Sequence, residues 1–138
     1  MGYDPDNIFA RILRGEVPCV KVYEDAHTLA FMDVMPQTTG HTLVIPKAEA
    51  TDLLDLPEEL AGALLSTTQR VARAVKAALQ PGGILVAQLN GAPAGQSVFH
   101  LHFHVIPRED GIDLALHARK MADMDALEAT AARIRAAL

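Results

Sequence analysis

Phe99-His100-Leu101-His102-Phe103-His104-Val105-Ile106 sets three histidines at alternate positions among aromatic and aliphatic residues. Alternation with period 2 is the mark of a β-strand, whose successive side chains point to opposite faces. The pattern therefore predicts His100, His102 and His104 on one face, with Phe99, Leu101 and Phe103 entering a core. Imidazole titrates near neutral pH and serves as nucleophile, acid–base group or metal ligand. Three readings follow. His-x-His on a strand aims two nitrogens at one zinc or iron ion. Alternatively, one imidazole attacks a substrate while its neighbours orient it and hold developing charge. The third is a polar strand face turned to water, where Lys, Glu or Thr would be the commoner choice.

Upstream, Asp6 or Asn7 can cap a short helix in which Ile8, Phe9, Ile12 and Leu13 share a face, ended by Gly15 and Pro18. Val20 to Tyr23 and Thr28 to Asp33 read as strands joined by the turn Glu24-Asp25-Ala26-His27, and His41 to Ile45 as a third closed by Pro46. Asp55 as cap, Pro57 in the first turn, and Glu58 and Glu59 predict a helix start. Leu60, Leu64, Val71, Val75 and Leu79 continue it to Gln80-Pro81-Gly82-Gly83. Ile84 to Leu89 resumes strand character, Asn90 to Gln96 is a loop, and a last helix runs from about Asp123 to Ala137. The class is α+β: an antiparallel sheet of about five strands, one face covered by the long helix, with a short N-terminal helix and a C-terminal one.

The 138 residues, half of them apolar, suit one domain with a substantial core. A formal charge of −5 lacks the basic footprint of a general nucleic-acid binder, so an anionic substrate needs local donors. No apolar run approaches the ~18 residues of a membrane span, and the acidic start lacks a signal-peptide pattern. Cys19 is the sole cysteine, which excludes an internal disulfide framework and any multi-cysteine zinc site. A cytoplasmic protein is expected.

His100 to Ile106 resembles the signature of the histidine triad (HIT) superfamily of nucleotide hydrolases and transferases. Asn90, Gly95-Gln96-Ser97, Gly40-His41-Thr42-Leu43-Val44-Ile45-Pro46-Lys47, Phe31-Met32-Asp33 and Ile8-Phe9-Ala10-Arg11-Ile12 are similar to family segments in the expected order. The similarity covers about residues 7 to 110, as one HIT-like domain.

The resemblance implies hydrolysis of nucleoside 5′-phosphoramidates, dinucleoside polyphosphates or related conjugates at the α-phosphate. His102 would be the nucleophile, forming a nucleotidyl-histidine that water cleaves. For this its proton must sit on Nδ1, fixed by a carbonyl such as that of His100. His104 and Ser97 would face phosphoryl oxygens or the leaving group, and Gln96, with backbone near Gly95, would help position water or phosphate. His100 and His41 would support the nucleophile, and Asn90 would belong to the binding loop. Asp33 would accept from ribose hydroxyls. Ile8, Phe9, Ile12, Phe31, Val34 and Leu43 would wall a cleft for a purine. Lys47 and Arg108, the nearest cations, read as solvated charge ahead of a polyphosphate contact.

Family members with a structural zinc carry cysteines where this chain has Asn7 and Ala10, and a histidine where it has Glu49; no metal or other cofactor is expected. A Trp-Pro-Pro-Gly end is absent, so the phosphoramidase and dinucleoside polyphosphate branches both stay open. The resemblance further implies a homodimer joined through the long helix and an edge strand, which would protect that edge. Two alternatives stand beside the leading reading: a metal-dependent hydrolase with His100, His102 and His104 as ligands, and a non-catalytic nucleotide-binding protein. From Gly111 onward, including Asp113, His117 and Lys120, nothing specific is matched.

Overall fold

The computed structural model describes residues 2–111 and 120–138; Asp113 and His117 lie outside the described residues. The elements are α1 (Ile8–Leu13), β1 (Lys21–Glu24), β2 (Thr28–Met32), β3 (Thr42–Pro46), α2 (Glu58–Leu79), β4 (Gly83–Ala87), β5 (Phe103–Arg108) and α3 (Met124–Ala136), with 3-10 turns at Leu53–Asp55 and Ala92–Ala94. The strands form one antiparallel sheet in the order β1-β2-β3-β5-β4. The α+β class expected from the sequence, with a five-stranded antiparallel sheet, is thus present.

Strand alternation divides the core into two layers. Ala30, Met32, Val44 and Val105 face the helices and pack with Val71, Val75, Leu127 and Ile134. Leu29 and Phe31 of β2 point the other way, beside Leu43 and Ile45 of β3, and Phe9 of α1 covers them. Because both faces are covered, every residue of β2 and β3 is buried. Burying a side chain such as Phe31 or Ile45 stabilises by roughly 1.5–3 kcal/mol. Asn7 caps α1 by accepting from the Ala10 N–H at 2.9 Å. Arg133 of α3 donates to the Ala78 carbonyl at 2.8 Å, satisfying one of the acceptors that the C-terminal turn of α2 leaves over.

Two local expectations are corrected. Asp55 does not cap α2: the helix begins after Pro57, and the Asp55 carboxylate instead accepts from the Thr51 N–H at 2.8 Å. The histidine run is not a strand throughout. β5 begins at Phe103, and the Leu101 N–H donates to the Ala50 carbonyl at 2.8 Å rather than to a sheet neighbour. Leu101 and Phe103 do join the helix-side core, but Phe99 is 39% exposed, because the chain has left the pleat before reaching it. No described helix is long and apolar enough to cross a membrane.

Candidate active site

Pairing between β2 and β3 continues one step past the strands, where the Asp33 N–H donates to the His41 carbonyl at 3.0 Å. Asp33 and His41 are thereby opposed. β5 lies between β3 and β4, and its His104 is in register with Leu43 on one side and Ala87 on the other. The sheet thus brings His104 to Asp33 and His41, although it lies 63 residues beyond His41 in the chain.

The hydrogen bonds assign the proton on each ring. His102 Nδ1 lies 2.7 Å from the His100 carbonyl oxygen, which only accepts, so Nδ1 carries the proton and Nε2 the lone pair. His100 Nε2 lies 2.8 Å from the Pro46 carbonyl oxygen, so its proton is on Nε2. Its Nδ1 then accepts from the Tyr3 hydroxyl at 2.5 Å. At His41 the order is set from the other end: the Gln37 N–H donates to Nδ1 at 2.9 Å, leaving the proton on Nε2. That N–H donates to His104 Nδ1 at 2.9 Å, and His104 keeps its own proton on Nε2. Main-chain groups therefore orient the whole cluster, which is what a nucleophile and a set of donors need.

The rings of His41, His100 and His102 are held neutral. Burial, followed by the nearby His104 and His102, holds His41 down to about 3. Burial also lowers His100 and His102, in part offset by their carbonyl partners. Asp33 Oδ2 is 3.5 Å from His41 Nε2, but beside a neutral imidazole this is not an ion pair. Burial raises the Asp33 carboxyl, opposed by the Met35 N–H that donates to it at 2.9 Å.

A stability dependence follows. The unfolded chain carries these imidazoles near pKa 6.5, so between that value and the lower folded values the unfolded state binds more protons. Their contribution is full above pH 6.5 and lost as pH falls toward the folded values. Glu24 and Asp25, both held at about 2, change only below pH 4.5; Asp33, raised, acts in the opposite sense. The urea midpoint is expected to fall between pH 7 and pH 5. A midpoint that stays level across that interval would contradict burial of neutral rings.

Phe9 packs edge-on against His102, with ring centroids 4.9 Å apart, and against Phe31 at 5.3 Å. Phe31 and Leu43 are buried beside it and Ile12 is partly buried, whereas Ile8 and Val34 expose 40% and 36% of their surface. The apolar residues picked out in the sequence thus form a buried floor with two open side chains.

Gln96 does something the sequence does not announce. It is 4% exposed, and its amide accepts from the Gly91 N–H at 2.7 Å and donates to the carbonyls of Thr51 and Val98 at 2.7 and 3.0 Å. Asn90 likewise braces, accepting from the Leu53 N–H at 2.9 Å and from Gln88 at 2.8 Å. Gly95 has φ +105°, a left-handed turn that glycine takes without strain, and its N–H bonds the Ala92 carbonyl. These residues shape the loop. Ser97, exposed at its end, makes no hydrogen bond to the described residues, so its hydroxyl and N–H are available as donors. Lys47 pairs with Glu24 at 2.7 Å.

Tyr3 was not signalled by the sequence, for it stands 97 residues from its partner and in no motif. The carbonyls of Pro46 and His100 are equally silent, because any residue supplies a carbonyl.

Among the described residues, Asp33, His41 and His104 each offer one ligand atom within 4.8 Å of the others. A metal-bound histidine donates its other N–H to an acceptor. His41 does the reverse: Gln37 donates to its Nδ1, so a metal at Nε2 would set two N–H groups against each other. The strand histidines do not serve either, since both nitrogens of His100 are hydrogen-bonded. Among the described residues, then, neither the Asp33–His41–His104 group as it is hydrogen-bonded here nor a ligand set that includes His100 fits a metal ion.

A family model described as HIT domain matches residues 14–111. The chain is 42% identical over 101 residues to adenosine 5′-monophosphoramidase from Schizosaccharomyces pombe, covering 73% of each chain. Among solved structures, a Hit-like protein from Bartonella henselae involved in cell-cycle regulation, with an unknown ligand, superimposes with TM-score 0.95 at 48% identity over all of both chains. A zinc-bound histidine triad family protein from Mycobacterium smegmatis gives 0.83 at 38% identity, over 96% of this chain and 92% of that one.

Proposed function

The chain belongs to the HIT-domain family, and on that premise we propose that it is a nucleotide hydrolase in which His102 attacks an α-phosphorus and a nucleoside monophosphate is released. The observation that carries this reading is the bond from His102 Nδ1–H to the His100 carbonyl, which leaves the Nε2 lone pair of a buried, neutral ring as the nucleophile.

In the first step the Nε2–P bond forms and the P–N or P–O bond to the leaving group breaks. The leaving group departs with the electron pair and takes up a proton relayed from solvent water through the exposed Ser97 hydroxyl. The imidazolium so formed keeps Nδ1–H on the His100 carbonyl, a fixed dipole already turned toward the developing charge. Water then attacks phosphorus and gives up a proton to solvent, the P–Nε2 bond breaks, and its electron pair returns to His102. His104, with its proton on Nε2, donates to a phosphoryl oxygen, and His41 behind it holds that tautomer. Gln96, Asn90 and Gly95 hold the loop that presents Ser97.

Asp33 keeps acceptor capacity for ribose hydroxyls, since among the described residues its carboxylate is hydrogen-bonded to the Met35 N–H. The base rests on Phe9, Phe31 and Leu43, with Ile8, Ile12 and Val34 around it. Such walls make few base-specific hydrogen bonds, so discrimination among purines is expected to be weak. The likeness to an adenosine 5′-monophosphoramidase supports phosphoramidates as one substrate class; dinucleoside polyphosphates are the other. We place the enzyme in the cytoplasm, with no cofactor.

The test is release of adenosine monophosphate from adenosine 5′-phosphoramidate and from diadenosine polyphosphates, with a chelator present. Turnover unaffected by the chelator supports the histidine mechanism, and the better substrate assigns the branch. Turnover abolished by it would favour a metal-dependent hydrolase, and no release from any substrate would favour a binding protein.

We also propose a homodimer. β4 is a sheet edge whose Val86 is 45% exposed, and Leu65 on α2 is 61% exposed. Edge pairing would cover both the strand and these side chains. Light scattering at micromolar concentration is expected to give twice the 14.8 kDa chain mass; the monomer mass would contradict it.

A further inference from the structure

We propose that Tyr3 is a positioning residue: its hydroxyl, donating to Nδ1 of His100, holds in place the residue whose carbonyl orients His102, a role that rests on the nucleophile assignment above. His100 is completely buried, so both ring nitrogens need partners. Pro46 accepts the Nε2 proton, and among the described residues Tyr3 supplies the donor to Nδ1. The two rings also meet edge to face at 5.6 Å, with Phe9 6.5 Å from His100.

Residue 100 stands outside the β5 ladder, which begins at Phe103. Its carbonyl is therefore located by its own side-chain tethers and by the Leu101–Ala50 bond, not by strand pairing. Tyr3 is one of those tethers, and the segment that carries it is itself secured. The Arg14 guanidinium donates to the Pro5 carbonyl at 2.6 Å, and Asn7 to the Asp4 carbonyl at 2.8 Å. The Asp6 N–H donates to the Asp4 carboxylate at 2.9 Å. All of these contacts except the Arg14 end precede residue 14, where the family match begins. The site thus draws support from a segment ahead of the matched domain.

Tyr3→Phe keeps the ring and removes the donor. Nδ1 then becomes a buried acceptor without a partner, and His100 can relieve this only by turning or by changing tautomer. Two readouts decide the matter in the full chain: steady-state release of adenosine monophosphate, and long-range proton–nitrogen spectra of the histidine rings recorded without substrate. A loss of about 3- to 10-fold in kcat, the scale of one neutral hydrogen bond, with KM within about twofold, is expected. The His102 nitrogen resonances are expected to move toward each other as the Nδ1-protonated form loses population. A covering role alone would leave the His102 resonances in place. Unchanged kcat, or a spectrum in which only His100 responds, overturns the proposal. If the wild type releases no monophosphate, the catalytic reading fails by itself, and the spectra still report whether Tyr3 governs His102.

Discussion

Replacing His102 by alanine is expected to lower turnover by at least about 10⁴-fold, the scale on which losing a catalytic nucleophile is felt. The expectation follows from the orientation of the ring. Its Nδ1 proton is held by the His100 carbonyl at 2.7 Å, and no other imidazole of the cluster leaves Nε2 unprotonated. His41 and His100 carry their protons on Nε2 and donate them inward, and His104 keeps its own there, so none can substitute as nucleophile without changing tautomer. Folding should survive, because His102 meets Phe9 and His104 only through ring contacts at 4.9 Å, and water can enter the vacated volume to bond the His100 carbonyl. Steady-state kinetics on purified variant with a native circular-dichroism spectrum checks this. Activity within tenfold of wild type would end the nucleophile assignment.

Gly40→Ala is expected to destabilise the protein by about 2–4 kcal/mol, through two costs that act together. Gly40 has φ +96°, where a β-carbon is strained. That carbon would also stand 2.3 Å from Leu79 Cδ1 and 3.1 Å from Pro107 Cγ. Leu79 ends α2 and is partly buried, so its Cδ1 must turn aside, and Pro107 of β5 must give by a few tenths of an ångström. The melting temperature should fall by about 10 °C for a chain of this size. The turn also delivers His41 and its bond to Asp33, so activity should drop with stability. A variant melting with the wild type would show that the turn is softer than its contacts imply.

Much of the fold is legible because two periodicities run cleanly through the chain. Leu29 and Phe31 against Ala30 and Met32 mark a strand covered on both faces, and Leu64, Val71 and Val75 mark the helix that covers one of them. The limits arise where the backbone, rather than a side-chain pattern, decides. His100, Leu101 and His102 alternate like a strand, yet the Leu101 amide pairs with Ala50 and the His100 carbonyl with a side chain, so the ladder starts later. Asp55 precedes a proline and two glutamates as a helix cap would, but its carboxylate finds a nearer amide at Thr51.

The residues of the candidate site were legible as a set, through their resemblance to a family, and the structure brings Asp33, His41, His102 and His104 into one cluster. Their division of labour was not. Gln96 reads as a polar group available to substrate, and only its three backbone bonds reveal a loop brace. The Gln37 amide, which decides the tautomer of His41, has no sequence signature at all. Tyr3 is invisible for the same reason that it is informative: its contact spans 97 residues of sequence.

The stereochemical course at phosphorus separates attack by His102 from direct attack by water. With an adenosine 5′-phosphorothioate conjugate chiral at the α-phosphorus, hydrolysed in isotopically labelled water, two successive in-line displacements should give retention of configuration. Inversion would mean a single displacement by water, and His102 would then not be the nucleophile.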